Sequence, residues 1–324
     1  MERKLLTGTG IYVSPLCLGT MTFGGQVAEK EACEMVDYAF DNGINFIDTA
    51  DAYSAGECER IVGRAIKNKR DKMILVTKVG YPLEPGDDQN DAGLSRRHIV
   101  KGAEDSLKRL DTDYIDIYMM HLPVYENPLD ETLDALTTLV RSGKVRYIGV
   151  SNQAAWQICE EIEYCKSRSY IAPVLTQNGY NMISRGIEQE LVPFIKKYNV
   201  GLMIYNPIAG GLLSGKHKSG EPTKNTRFDG NKMYIERFWN EENFKAIERL
   251  TAIAEKGGMN LLELAMRWCV SQRHVDSILT GASRVEQLRQ NIELAGRGPL
   301  GDETLKECDD VWEVLSGKRF KYNR

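Results

Sequence analysis

Four side chains at the ends of three apolar runs have the makings of an acid catalyst: Asp48 and Tyr53 in FIDTADAY, Lys78 in MILVTK and His121 in IDIYMMH. A free tyrosine, with a pKa of about 10, is a poor proton donor near neutral pH. A neighbouring ammonium favours the phenolate and lowers that pKa. Lys78 supplies such a charge, Asp48 holds the lysine protonated and fixed, and His121 is suited to hydrogen-bond the oxygen being protonated or to relay the proton. Singly, each residue has a plainer use. Asp48 or Asp51 can cap a turn or helix, Tyr53 can pack, Lys78 can mark a strand end, and His121 can be a satisfied structural histidine. Together they point to protonation of an oxygen. Neither a nucleophile elbow nor a consecutive carboxylate–histidine set accompanies them, so no metal is expected.

These residues must be held by the elements they terminate. Short β-rich runs at 17–20, 45–50, 73–78, 114–121, 145–151, 173–177, 200–205 and 276–281 alternate with helical patterns. The helices are expected near 30–43, 57–68, 96–110, 130–142, 154–167, 187–198, 240–257 with 260–271, and 284–295. Runs such as MILV and YIGV are continuously apolar, as in parallel strands covered on both faces. Ser95, Asn152 and Ser283 stand where N-caps are expected. Eight strand–helix units in 324 residues fit one closed (β/α)8 TIM barrel, a single domain over 1–324. A small β-hairpin is expected within 1–16, and an extra C-terminal helix in 301–324 that frays after Gly317.

Chemistry in such a barrel gathers at the carboxyl ends of its strands. The later ends read Ser151 and Asn152, then Gln177, then Tyr205. The first three suit a planar amide and the last offers a flat stacking face, the two features a nicotinamide ring asks for. In YNPIAGGLLSGKH, Gly210 and Gly215–Lys216 have the spacing of a phosphate-binding loop, but His217 stands where a magnesium-binding Ser or Thr belongs. Backbone amides there could still meet a diphosphate, with Lys216 and Arg227 adding charge. After the eighth strand, Gly281, Ser283 and Arg284 open a helix whose first-turn amides should face the mouth. Gln287, Gln290 and Asn291 follow on the adenosine side. Arg284 is either a partner for a ribose 2′-phosphate, which would select NADPH over NADH, or a solvated surface arginine. No GxGxxG opens a βαβ unit, which disfavours a doubly wound dehydrogenase.

Composition narrows the class. A formal net charge of −4 offers no basic field for nucleic acid. No apolar run reaches membrane-spanning length, and the charged N-terminus leads into no apolar signal region. Seven cysteines, an odd number without CxxC or zinc-like spacing, read as free thiols of a cytoplasmic protein. The long polar stretch 219–231 either covers a ligand or stays mobile.

Ordered motifs along almost the whole chain resemble the aldo-keto reductase superfamily: LGTMTFG at 18–24, FIDTADAY at 46–53, SLKRLDTDYIDIYMMH at 106–121, YIGVSN at 147–152 and GASRVEQLRQN at 281–291. The sequence is most similar to the bacterial and potassium-channel beta-subunit-like branches. The resemblance implies NAD(P)H-dependent reduction of an aldehyde or ketone without metal. It places the general acid at Tyr53, its support at Lys78 and Asp48, and carbonyl orientation at His121. It also implies that Ser151, Asn152 and Gln177 hold the carboxamide and that Tyr205 stacks on the nicotinamide. Gly19, Thr20, Met21, Asp48, Asn206, Pro207, Ile208, Gly210, Gly211 and Gly281 complete the expected cofactor contacts with Lys216, Arg227, Ser283, Arg284, Gln287, Gln290 and Asn291. Two departures bear on the substrate. The chain reads HLPVYENP where many relatives carry tryptophan or an acidic residue, and the 81–94 loop brings four acidic residues that could rim a wide mouth suited to polar, sugar-like carbonyls. Alternatives are an NAD(P)-dependent sugar or secondary-alcohol dehydrogenase, and a regulatory subunit sensing redox state through bound cofactor. Monomer and homo-oligomer are both compatible with the sequence.

Overall fold

The computed structural model describes residues 1–317 except 85, 223 and 225. Eight parallel strands close into a barrel: β3 (Leu16–Gly19), β4 (Phe46–Asp48), β5 (Ile74–Val79), β6 (Ile115–Met120), β7 (Val145–Ser151), β8 (Leu175–Gly179), β9 (Gly201–Tyr205) and β10 (Ser277–Gly281), with β10 pairing back onto β3. Closure runs from Ile278 opposite Leu16 to Gly281 opposite Gly19. This is a (β/α)8 TIM barrel. The expected hairpin is β1 (Lys4–Leu5) with β2 (Tyr12–Val13).

Strand side chains alternate between the barrel interior and the helix layer with a period of two. Cys17, Phe46, Val76, Ile117, Met119, Leu175 and Met203 fill the interior, and Leu6 and Val13 close it from the hairpin side. Two residues further along the same strands stand Gly19, Asp48, Lys78, His121, Gln177 and Tyr205. The site is the interior stack continued to its upper end, where apolar side chains give way to polar ones.

The helices are α1 (Glu29–Asp41), α2 (Glu57–Ile66), α3 (Arg96–Leu110), α4 (Leu129–Arg141), α5 (Ala155–Arg168), α6 (Leu191–Tyr198), α7 (Lys232–Phe238), α8 (Glu241–Lys256), α9 (Leu261–Ser271), α10 (Val285–Gly296) and α11 (Asp302–Ser316). Ser95 caps α3, accepting from the His98 amide at 3.2 Å. The other two expected caps are not caps. Asn152 lies outside α5, in the left-handed region at φ 61°, and its amide serves the site. Ser283 precedes Arg284, which opens α10 without a side-chain cap, and the Ser283 hydroxyl bonds the Gln287 side chain instead. The expected 187–198 helix starts later, at Leu191, because 186–188 form a separate 3-10 turn. Strand β8 continues to Gly179, so Gln177 is an interior residue of its strand and not the last. The expected fraying after Gly317 falls outside the described residues.

α2 and α3 approach closely at Gly63, where a β-carbon would come within 2.6 Å of the Leu110 carbonyl carbon. All seven cysteines are free thiols.

Candidate active site

Lys78 is the centre of the site. Its ammonium, fully buried, donates to Asp48 Oδ1 at 2.5 Å and to the Thr49 carbonyl at 2.8 Å, and stands 3.5 Å from the Tyr53 hydroxyl. Gln177 Nε2 holds the other Asp48 oxygen at 2.8 Å. Burial by itself lowers a lysine pKa, yet the Asp48 carboxylate and Tyr53 more than offset it, so the ammonium is raised above its ordinary value. Burial also raises Asp48, against Lys78 and Gln177. The two shifts compete for one proton, and it stays on the amine, by far the stronger base of the pair.

The expected net lowering of Tyr53 does not occur. Burial pushes its phenol up to about 12, and Lys78 only partly pulls it back. The physical reason is first burial, which disfavours the phenolate, and then Asp48, which is bonded to the same ammonium and acts on Tyr53 against it. Tyr53 therefore keeps its proton at neutral pH. His121 is pushed down to about 3 by burial and then by Lys78, so it is a neutral imidazole; its buried Nδ1 has no partner among the described residues. Its ring lies edge-on to Tyr53, centroids 5.7 Å apart, and to Tyr81 at 4.8 Å.

The turn that follows Tyr53 is strained. Ser54 and Ala55, at φ 49° and 52°, are followed by Gly56 at 84°, three left-handed residues in a row before α2. Such residues cost on the order of 1 kcal/mol each when not glycine. The Ser54 hydroxyl, donating to the Phe23 carbonyl at 2.8 Å, helps hold the turn.

Asp51 is separate from this group. Its Oδ1 accepts the Ala52 amide at 2.6 Å, while its buried Oδ2 has no hydrogen-bond partner among the described residues. Behind it, on the outer face of the barrel wall, buried Glu59 accepts from Thr77 at 2.5 Å and from Arg109 at 2.6 Å. Burial, then Glu59, pushes the Asp51 carboxyl up to about 8.

A cleft of about 1300 Å³ runs from Asp48, Tyr53 and His121 to Gln290 and Asn291. Every residue expected to contact a cofactor lines it, and Lys78 lies beneath its floor. Asn152 is fixed on three sides: its amide donates to the His121 carbonyl at 3.0 Å and Ser151 Oγ at 3.1 Å, and its oxygen accepts from the Tyr205 hydroxyl at 2.7 Å. Gly210 and Gly211, at φ 69° and 109°, bend the loop after β9 as residues with side chains rarely can. From the 219–231 stretch, Thr226, Arg227 and Asp229 line the cleft. Sequence reasoning missed Gln26, Ser214, Met233 and Arg237, which line it too. Of the 81–94 loop only Tyr81 does, so its four acidic residues do not line the cleft; Asp87 accepts from the Glu84 amide and Asp88 from the Asn90 amide in exposed turns.

A nicotinamide nucleotide fits this lining. Gln177 Oε1 makes no hydrogen bond among the described residues, and Lys216, Arg227 and Arg284 bring positive charge to the elongated part of the cleft.

The Aldo/keto reductase family profile matches residues 15–313. A probable voltage-gated potassium channel subunit beta of Arabidopsis thaliana is 35% identical over 98% of both chains. A protein of the same description from Oryza sativa subsp. japonica is 34% identical over 98% of both. An uncharacterized oxidoreductase of Bacillus subtilis (strain 168) is 36% identical, again over 98% of both. The chain belongs to the aldo/keto reductase family, whose members use nicotinamide cofactors. Among the described residues, no helix is long and apolar enough to cross a membrane.

Proposed function

We propose that the protein reduces an aldehyde or ketone to the alcohol with NADPH, with Tyr53 as the proton donor, on a single barrel domain in the cytoplasm. The observation that carries this reading is the Lys78 ammonium set between Asp48 and Tyr53 at the head of a long cleft. A nicotinamide nucleotide bound along that cleft supplies the hydride for the carbonyl carbon. Neutral His121 orients the carbonyl oxygen toward Tyr53. The phenol stays protonated until negative charge grows on that oxygen, which then becomes a stronger base than the phenolate. Tyr53 gives up its proton at that moment, and Lys78 stabilises the phenolate left behind. Asp48 and Gln177 keep the ammonium in place, and Ser151, Asn152 and Tyr205 hold the carboxamide and ring. Arg284, exposed at the start of α10, supports a 2′-phosphate and so NADPH over NADH. Seven free thiols agree with a reducing compartment.

The test is a carbonyl panel run with NADPH and NADH side by side on the wild type and Tyr53→Phe. Loss of one general acid should cost about 10²- to 10⁴-fold in kcat. Cofactor binding, read by quenching of protein fluorescence, should be retained. Full activity in Tyr53→Phe would refute the assignment. A second reading is favoured by the two channel-subunit relatives: a subunit that reports redox state through the same bound nucleotide. Stable association with a partner chain and negligible turnover across the panel would select it.

A further inference from the structure

Three of the cations lining the cleft, Lys216, Arg227 and Arg284, have work to do at a nucleotide. A fourth does not. Arg237, near the end of α7, is exposed and lines the same cleft, and it has no hydrogen bond or ion pair among the described residues. It sits within electrostatic reach of Tyr205, whose phenol burial raises and Arg237 pulls back; Tyr81 acts on the same phenol. Tyr81 in turn packs edge-on against His121. Tyr234, three residues earlier on α7, donates to Asn206 Oδ1 at 3.3 Å, next to Tyr205, so Arg237, Tyr205, Tyr81 and His121 line the part of the cleft beside Tyr53. Among the described residues two carboxylates line the cleft: Asp48, committed to Lys78 and Gln177, and Asp229, in the 219–231 stretch with Arg227; the acidic residues of the 81–94 loop do not.

We propose that Arg237 binds a carboxylate carried by the carbonyl substrate, so that the preferred substrates are oxo-acids with the carboxylate remote from the carbon that is reduced. The inference rests on the reductase reading and names its substrate class. A guanidinium presents paired N–H groups in a plane, the geometry a carboxylate accepts in two parallel bonds. Among the described residues only one such cation stands here, which suits a singly charged group rather than a phosphate needing several donors. Tyr81 adds a flat face and a hydroxyl for the body of the substrate. An unpaired cation at the rim also draws an anion toward the mouth.

The experiment compares 4-carboxybenzaldehyde with its methyl ester, methyl 4-formylbenzoate, in the wild type and in Arg237→Met. The acid should be preferred in kcat/KM by about 10-fold, the worth of one charge-assisted contact. Arg237→Met should erase that preference through KM for the acid, leaving kcat and the ester within about twofold. The wild-type preference should also shrink as salt rises, since an exposed pair is screened. Because Arg237 is exposed, ester turnover reports that the variant is folded. Equal efficiency for acid and ester in the wild type overturns the proposal. So does an equal loss for both in the variant with a raised KM for NADPH, which would make Arg237 a nucleotide ligand. If neither aldehyde is reduced, the reductase reading falls and takes this inference with it; ester turnover without preference sinks the inference alone.

Discussion

Replacing Asp51 with asparagine should flatten the pH dependence of stability on the alkaline side. The buried carboxyl is raised from an ordinary 3.8 to about 8, chiefly by burial and then by Glu59, with the Ala52 amide, Arg109 and Lys78 acting against the shift. The groups facing it are Glu59 on α2, Arg109 on α3, Lys78 on β5 and Tyr118 on β6. A carboxyl raised on folding binds its proton more tightly in the native state than in the unfolded chain. Its contribution is therefore fully present below pH 3.8 and is lost as pH rises through about 8. Within that window each pH step costs about 1.4 kcal/mol, so the move from pH 5 to pH 8 removes at most about 3–4 kcal/mol. That is a sizeable part of the roughly 5–15 kcal/mol that stabilises a typical domain. The asparagine amide faces the same unpartnered position at both pH values, so its own cost cancels in the comparison. Urea unfolding at pH 5 and pH 8, followed by circular dichroism on both proteins, reads the effect. The wild type should lose stability between the two, and Asp51→Asn should lose markedly less. Parallel losses in the two proteins would show that Asp51 is not a buried neutral acid.

Two further substitutions test the scaffold. Arg109→Met leaves Glu59, fully buried, with only the Thr77 hydroxyl; it should cost about 3–5 kcal/mol, seen as a lowered urea midpoint. Gly63→Ala drives a methyl group into the Leu110 backbone, and since a carbonyl cannot rotate away, it should cost about 1–3 kcal/mol, seen as a fall in Tm with kcat little changed.

The barrel was legible because its signals are local and repeated. Runs such as MILV and YIGV suit parallel strands buried on both faces, and a period of two then carries Phe46 to Asp48, Val76 to Lys78 and Met203 to Tyr205. Once the strands were located, the residues of the mouth followed from where each apolar run ended. What stayed hidden depends on orientation across the fold. Glu59 reads as a surface residue of a helix, yet it faces Thr77 and Arg109 inside the wall. Asn152 has the type and place of a cap, but its left-handed backbone turns the amide to His121 and Tyr205. The acidic residues of the 81–94 loop suggested a negative rim, although only Tyr81 reaches the cleft. Arg237 lies in a short helix after a polar loop, where nothing in the sequence distinguishes it from a solvated arginine.

The tyrosine shows why the pairing around Lys78 matters more than the charge of the lysine alone. An ammonium buried beside a phenol would depress its pKa, but the same burial would strip the ammonium of its proton unless a carboxylate held it. Asp48 supplies that carboxylate, bonded at 2.5 Å and steadied by Gln177, and in doing so opposes part of the pull of Lys78 on Tyr53. Burial does the rest, and the phenol pKa lies above that of free tyrosine. A neutral pair is nonetheless the better arrangement for proton donation on demand. It leaves Tyr53 protonated while the site waits, and it places the ammonium 3.5 Å from the oxygen where the phenolate charge appears. Lys78 is thus a stabiliser of the charge produced by the reaction, and the second carboxyl of the same turn, Asp51, stays neutral behind the wall and adds nothing to oppose it.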